Sequence, residues 1–179
     1  FDRANPPQVR PGTKVHWCTG ARNSTTAWNE AAALSRGSVL IMNADDIRPP
    51  HRWDSQLYGV IPKHECELVV EVSSGPLGDD RRLMVFYILS RKRYERLGYA
   101  LYPEYPSLWV DNEFTEHARK DGVVIDARHL EFHHYHPHQG DGLFPLDEVY
   151  ANGNTTEAWN KGAELFHRRK AEGFPPWRP

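Results

Sequence analysis

The chain has 179 residues, 39% of them hydrophobic, and a formal net charge of −2. That is apolar content enough for one domain with its own core, and the near-neutral balance removes the electrostatic case for general nucleic-acid or anionic-membrane binding. Its two cysteines, Cys18 and Cys66, form neither a disulfide framework nor a zinc spacing, and no apolar run approaches the ~20 residues of a membrane span, so the expectation is a single cytoplasmic domain over 1–179.

In chain order, residues 1–13 carry three prolines without periodicity and read as an extended lead-in. Lys14–Cys18 reads as a strand. From Thr26 to Arg36, Trp28, Ala31, Ala32 and Ser35 fall at helical spacing, with Ser24 or Thr25 as cap and Gly37 as stop. Val39–Met42 is a run of four apolar residues, the pattern of a strand buried on both faces inside a parallel sheet. Together these make a βαβ unit. Asn43, Asp45 and Asp46 follow the strand, at the end where ligands bind in open α/β sheets. Pro49-Pro50 opens a helix through Trp53 and Leu57.

Glu67–Val72 and Met84–Leu89 read as strands, Arg91–Leu97 as a short helix stopped by Gly98, and Tyr99–Trp109 as a loop whose aromatic rings either stack on sugars or pack. Asp111–Asp121 reads as a helix with acids first and bases last. Val123–Asp126 and Leu130–His133 are short strands, and 134–146 is a glycine- and proline-containing loop with the character of a lid. Asn154-Thr155-Thr156-Glu157 has the form of a capping box before a helix with Trp159, Ala163 and Phe166 on one face. The proline-rich tail, 174–179, reads as surface.

Three polar groupings bear on chemistry: Asn43-Ala44-Asp45-Asp46, Asp111-Asn112-Glu113 and the histidines from His133 to His138. Oxygen ligands suit Mg²⁺, and Mn²⁺ also accepts an imidazole. In this order the groupings resemble the GT-A glycosyltransferases, family two in particular. The match runs from about Trp28 to Arg169: Asn29, Gly37, the apolar strand ending in Asn43-Ala44-Asp45, the acidic helix start at Asp111, and His134-Tyr135-His136 after a strand. The resemblance implies an α/β fold, a Rossmann-like mixed sheet flanked by helices. It implies transfer of a sugar from a nucleotide diphosphate, a UDP-sugar foremost, with Mn²⁺ or Mg²⁺ and inversion at the sugar. Asp45 and His134 would hold the metal, with His136 the next choice. Asp111 would be the general base and Glu113 its orienting partner. Asn29, Asn43, Asp45 and Asp46 would lie against the donor.

Asn43 stands where the motif has its first Asp, and Trp28 where an Arg often precedes the family Asn. The family's first βαβ stretch, about 30 residues or more, has no match before Lys14. The expectation is therefore an N-terminally truncated or minimal version that associates with itself or with a completing chain. The acceptor would be a glycan, a protein, a lipid or a modified base. Two other functions stay open: a degenerate domain that binds sugars or a partner without turnover, and a metal-dependent hydrolase built on the His/Asp cluster.

Overall fold

The computed structural model describes residues 11–12, 15, 23–44, 46–75, 82–135 and 154–177. The expected strand at Lys14–Cys18 (Val15 apart), the lid segment beyond Tyr135, Asp45 and His136 lie outside them. The described chain is a mixed α/β fold with five helices and two sheets. Strands β1 (Val39–Met42), β3 (Val69–Ser73), β4 (Tyr87–Ser90) and β5 (Val124–Glu131) form the main sheet in the order β1-β4-β3-β5. Strand β4 is antiparallel to both of its neighbours, and β3 and β5 are parallel. A two-stranded ribbon joins β2 (Ile47–Arg48) to β6 (His133–His134).

This corrects the reading of Val39–Met42 as a parallel strand. In the described sheet it pairs only with antiparallel β4, Leu40 opposite Leu89 and Met42 opposite Tyr87. Leu40 and Met42 are buried, while Val39 and Ile41 are half-buried. An apolar run signals that both faces are covered, but strand direction depends on partners far away in sequence. Both faces are covered here. On one side Leu40, Met42, Val69 and Leu89 join the buried tyrosines and the C-terminal helix; on the other, Val70, Val72, Phe86 and Ile88 pack with Leu57 and Phe132.

Helix α1 (Ser24–Leu34) is capped by Asn23, whose Oδ1 accepts from the Thr26 amide at 2.9 Å, and not by Ser24 or Thr25. Its end is held by Arg91 in place of Gly37. The guanidinium donates to the carbonyls of Ala32 (3.2 Å), Ser35 (2.9 Å) and Gly37 (3.2 Å), placing a cation on the negative end of the helix dipole. Helix α2 (Trp53–Val60) starts after Pro49-Pro50, through Arg52 at φ 54°. Helix α3 (Arg91–Leu97) has the expected bounds, because its signals are local: the Ser90 hydroxyl caps it and Gly98 ends it at φ 79°. The two strand expectations around Asp126 merge into β5, whose register against β3 slips between Glu71 and Ser73.

Helix α4 (Val110–Lys120) begins one residue earlier than expected. Trp109 is its cap in the left-handed region, φ 73°, with no side-chain cap bond. Helix α5 (Thr156–Ala171) is capped by Thr155, so Glu157 sits too early for a capping box and pairs with Lys161 instead. Its buried face is Gly162, Leu165, Phe166 and Arg169; Trp159 is exposed. Gly162 lies against the turn before α4: a Cβ there would come within 2.6 Å of the Leu108 carbonyl oxygen and 2.8 Å of Trp109 Cδ1. The tail also departs from the surface reading, since Phe174 is buried and stacks on His117 at 5.2 Å. Tyr99, Tyr102 and Tyr105 are buried as well, so in this loop packing prevails over sugar stacking.

His117 sits under Phe174 beside a charged cluster in which Arg93 and Arg96 bridge Asp121 and Glu67. Burial first, then the Arg93 charge, lowers the imidazole pKa to about 4. A histidine depressed below its unfolded value of about 6.5 stabilises the fold above that pH, and the contribution is lost as pH falls through about 4. Denaturant titrations at pH 7 and pH 4 are expected to show His117→Gln losing less stability across that interval than wild type. The difference should be on the order of 2 kcal/mol once solvent screening is allowed for. Parallel acid limbs in the two proteins would remove His117 from the account.

Candidate functional site

Because β4 runs against β1 and β3, and β5 runs with β3, the C-terminal ends of β1, β3 and β5 share one edge of the sheet. This is the edge at which open α/β sheets receive ligands. Asn43 lies there, exposed, directly after β1. The following turn is closed by the Ile47 amide donating to the Ala44 carbonyl at 3.2 Å.

The ribbon β2–β6 then fixes this turn to the end of β5. Ile47 lies opposite His134 and Arg48 opposite His133. The Tyr135 amide donates to the Asp46 carbonyl at 2.8 Å, and the His134 amide to the Ser74 carbonyl, beyond β3, at 3.2 Å. As a result His134 Nε2 lies 3.1 Å from Asp46 Oδ2, both side chains partly exposed. Sequence reading placed His134 on a metal and Asp46 on the donor; the structure brings these two together, with Asp45 and His136 outside the described residues. A carboxylate oxygen and an imidazole nitrogen are a donor pair that suits Mn²⁺, with diphosphate and water completing an octahedron. Among the described residues, no group of three or more His, Cys, Asp or Glu side chains is assembled for a metal.

Asp111 is the second residue of α4, and its Oδ1 accepts from the Asn112 amide at 2.9 Å. Its charge reaches Tyr87, which lies opposite Met42, the last residue of β1. Phe114 of the same helix packs on Tyr87 at 5.0 Å, so the start of α4 lies near the β1–β4 pair. The N-terminal helix dipole favours the ionised carboxylate there.

The other two named residues are engaged by the fold. Asn29 Oδ1 accepts from the amides of Ala100 (2.9 Å) and Leu101 (3.1 Å), and its Nδ2 donates to the Leu101 carbonyl at 2.6 Å. Its amide clamps the aromatic loop. Glu113 is buried and binds Arg169, with Oε2 2.7 Å from Nε, and accepts from the Tyr105 hydroxyl at 2.9 Å. Sequence reading missed Arg169. The available signal was its position seven residues after Gly162 and four after Leu165, on the buried stripe of α5.

No family model, no curated protein and no solved structure matches this chain. Among the described residues, no helix is long and apolar enough to cross a membrane.

Proposed function

We propose that the chain is a GT-A-type glycosyltransferase that moves a sugar from a nucleotide diphosphate to an acceptor hydroxyl with inversion. The observation that carries this reading is the Asp46–His134 pair at the strand-end edge of the sheet. The mixed sheet with helices beside it is compatible with that fold. Asp111, kept ionised, takes the proton from the acceptor hydroxyl as the new glycosidic bond forms. Asp46 and His134 would hold Mn²⁺ or Mg²⁺, and a bound ion would neutralise the charge that grows on the leaving diphosphate. The donor is a UDP-sugar; the acceptor is a glycan, a protein, a lipid or a modified base.

Calorimetry tests the metal centre without relying on turnover. With one carboxylate and one imidazole in contact among the described residues, Mn²⁺ should bind weakly to the protein alone and at least about ten-fold more tightly once UDP supplies phosphate oxygens. His134→Ala should abolish that gain. Equal Mn²⁺ affinity with and without UDP would count against the reading. The neutral Asn43 at the motif's first position favours a second reading, a domain that binds nucleotide sugar without turning it over. Mn²⁺-dependent donor hydrolysis by the wild type separates the two.

A further inference from the structure

We propose that Tyr87 is a substrate-contacting residue of this site, its hydroxyl donating a hydrogen bond to the transferred sugar; the inference rests on the glycosyltransfer reading. Tyr87 is only 5% exposed. Its ring is fixed between two others, edge-on to Trp28 of α1 at 5.4 Å and to Phe114 of α4 at 5.0 Å. That clamp accounts for the ring but not for the hydroxyl, which makes no hydrogen bond to any described residue. A nearly buried phenol whose hydroxyl makes no hydrogen bond among the described residues needs a reason. Phenylalanine would fill the same space without leaving a polar group under-used.

Position supplies the reason. Tyr87 lies opposite Met42, one residue before Asn43, and within the field of Asp111. Burial first, then that charge, keeps the phenol protonated well above neutral pH, so it acts as a donor and not as a base. The neighbourhood also selects the group that is bound. An ionised Asp111 repels a diphosphate but accommodates neutral sugar hydroxyls. Tyr87 therefore reads the sugar and not the nucleotide.

Tyr87→Phe tests this directly, because it keeps the ring clamp and removes only the hydroxyl. With Mn²⁺ present, wild type and variant are titrated with UDP and with UDP-glucose, UDP-galactose and UDP-N-acetylglucosamine. The expected result is an unchanged melting temperature, unchanged UDP affinity and about ten-fold weaker binding of the preferred nucleotide sugar, the worth of one neutral hydrogen bond. If the wild type binds a nucleotide sugar and the variant binds it equally well, the role of Tyr87 is overturned while the glycosyltransfer reading stands. Equal loss of UDP and UDP-sugar would also overturn it, since the effect would then be structural. A wild type that binds none of these ligands would sink the glycosyltransfer reading and this inference with it.

Discussion

Arg169→Met is expected to cost about 3–5 kcal/mol of stability, the range for removing one partner of a buried ion pair. Arg169 Nε lies 2.7 Å from Glu113 Oε2, and Nη2 donates to Glu113 Oε1 at 2.8 Å, to Tyr99 Oη at 3.3 Å and to the Pro175 carbonyl at 2.9 Å. The guanidinium also lies over the Tyr102 ring, 3.3 Å from its centroid. Both charged side chains are 3% exposed. Methionine fills much of the space but leaves the Glu113 carboxylate buried with, among the described residues, the Tyr105 hydroxyl alone on it. For a chain of this size the melting temperature should fall by roughly 10 °C. The double variant Glu113→Leu/Arg169→Met should recover most of the loss, because no charge is then stranded. A single variant within about 1 kcal/mol of wild type would show that the pair contributes little.

Asp111→Asn is expected to cut sugar transfer by about 100-fold or more while changing stability by no more than about 1 kcal/mol, the worth of an acid in the first helical turn. Trp109 occupies the cap position, so no cap bond is lost with the Asp111 carboxylate. The bond it accepts from the Asn112 amide can be kept by the Asn side-chain oxygen. Transfer rates and melting curves on the same preparations check the prediction. Near-normal transfer would leave Asp111 as a dipole-matching residue only. Glu113, two positions along the same helix, should behave in the opposite way, with changes there appearing first in stability.

What could be read from the sequence followed how far each determinant reaches along the chain. Helix α3 was legible to the residue because Ser90 and Gly98 adjoin it. The direction of β1 was not, since it depends on pairing with residues 87–90, nearly fifty positions away. The site divides in the same way. The acidic turn after β1 and the histidines after β5 announce themselves by composition, but their contact depends on the two-residue register of Ile47 with His134. Asn29 shows the reverse case: its motif position suggested a ligand, while its amide is spent on the backbone of a loop over seventy residues on. The tail misled because prolines at 175 and 176 masked what Phe174 does between them and the helix.

Gly162 bears on how substitutions would be tolerated along this chain. A glycine in mid-helix ordinarily invites replacement by alanine, worth about 1 kcal/mol in helix propensity. Here even a methyl group would clash with the Leu108 carbonyl and the Trp109 ring, and so force α5 away from the turn from which α4 and Asp111 set out. Position 162 should therefore admit no other residue. On this chain a map of intolerant positions would extend well beyond the residues that do chemistry, and its sharpest point outside them would be a residue with no side chain.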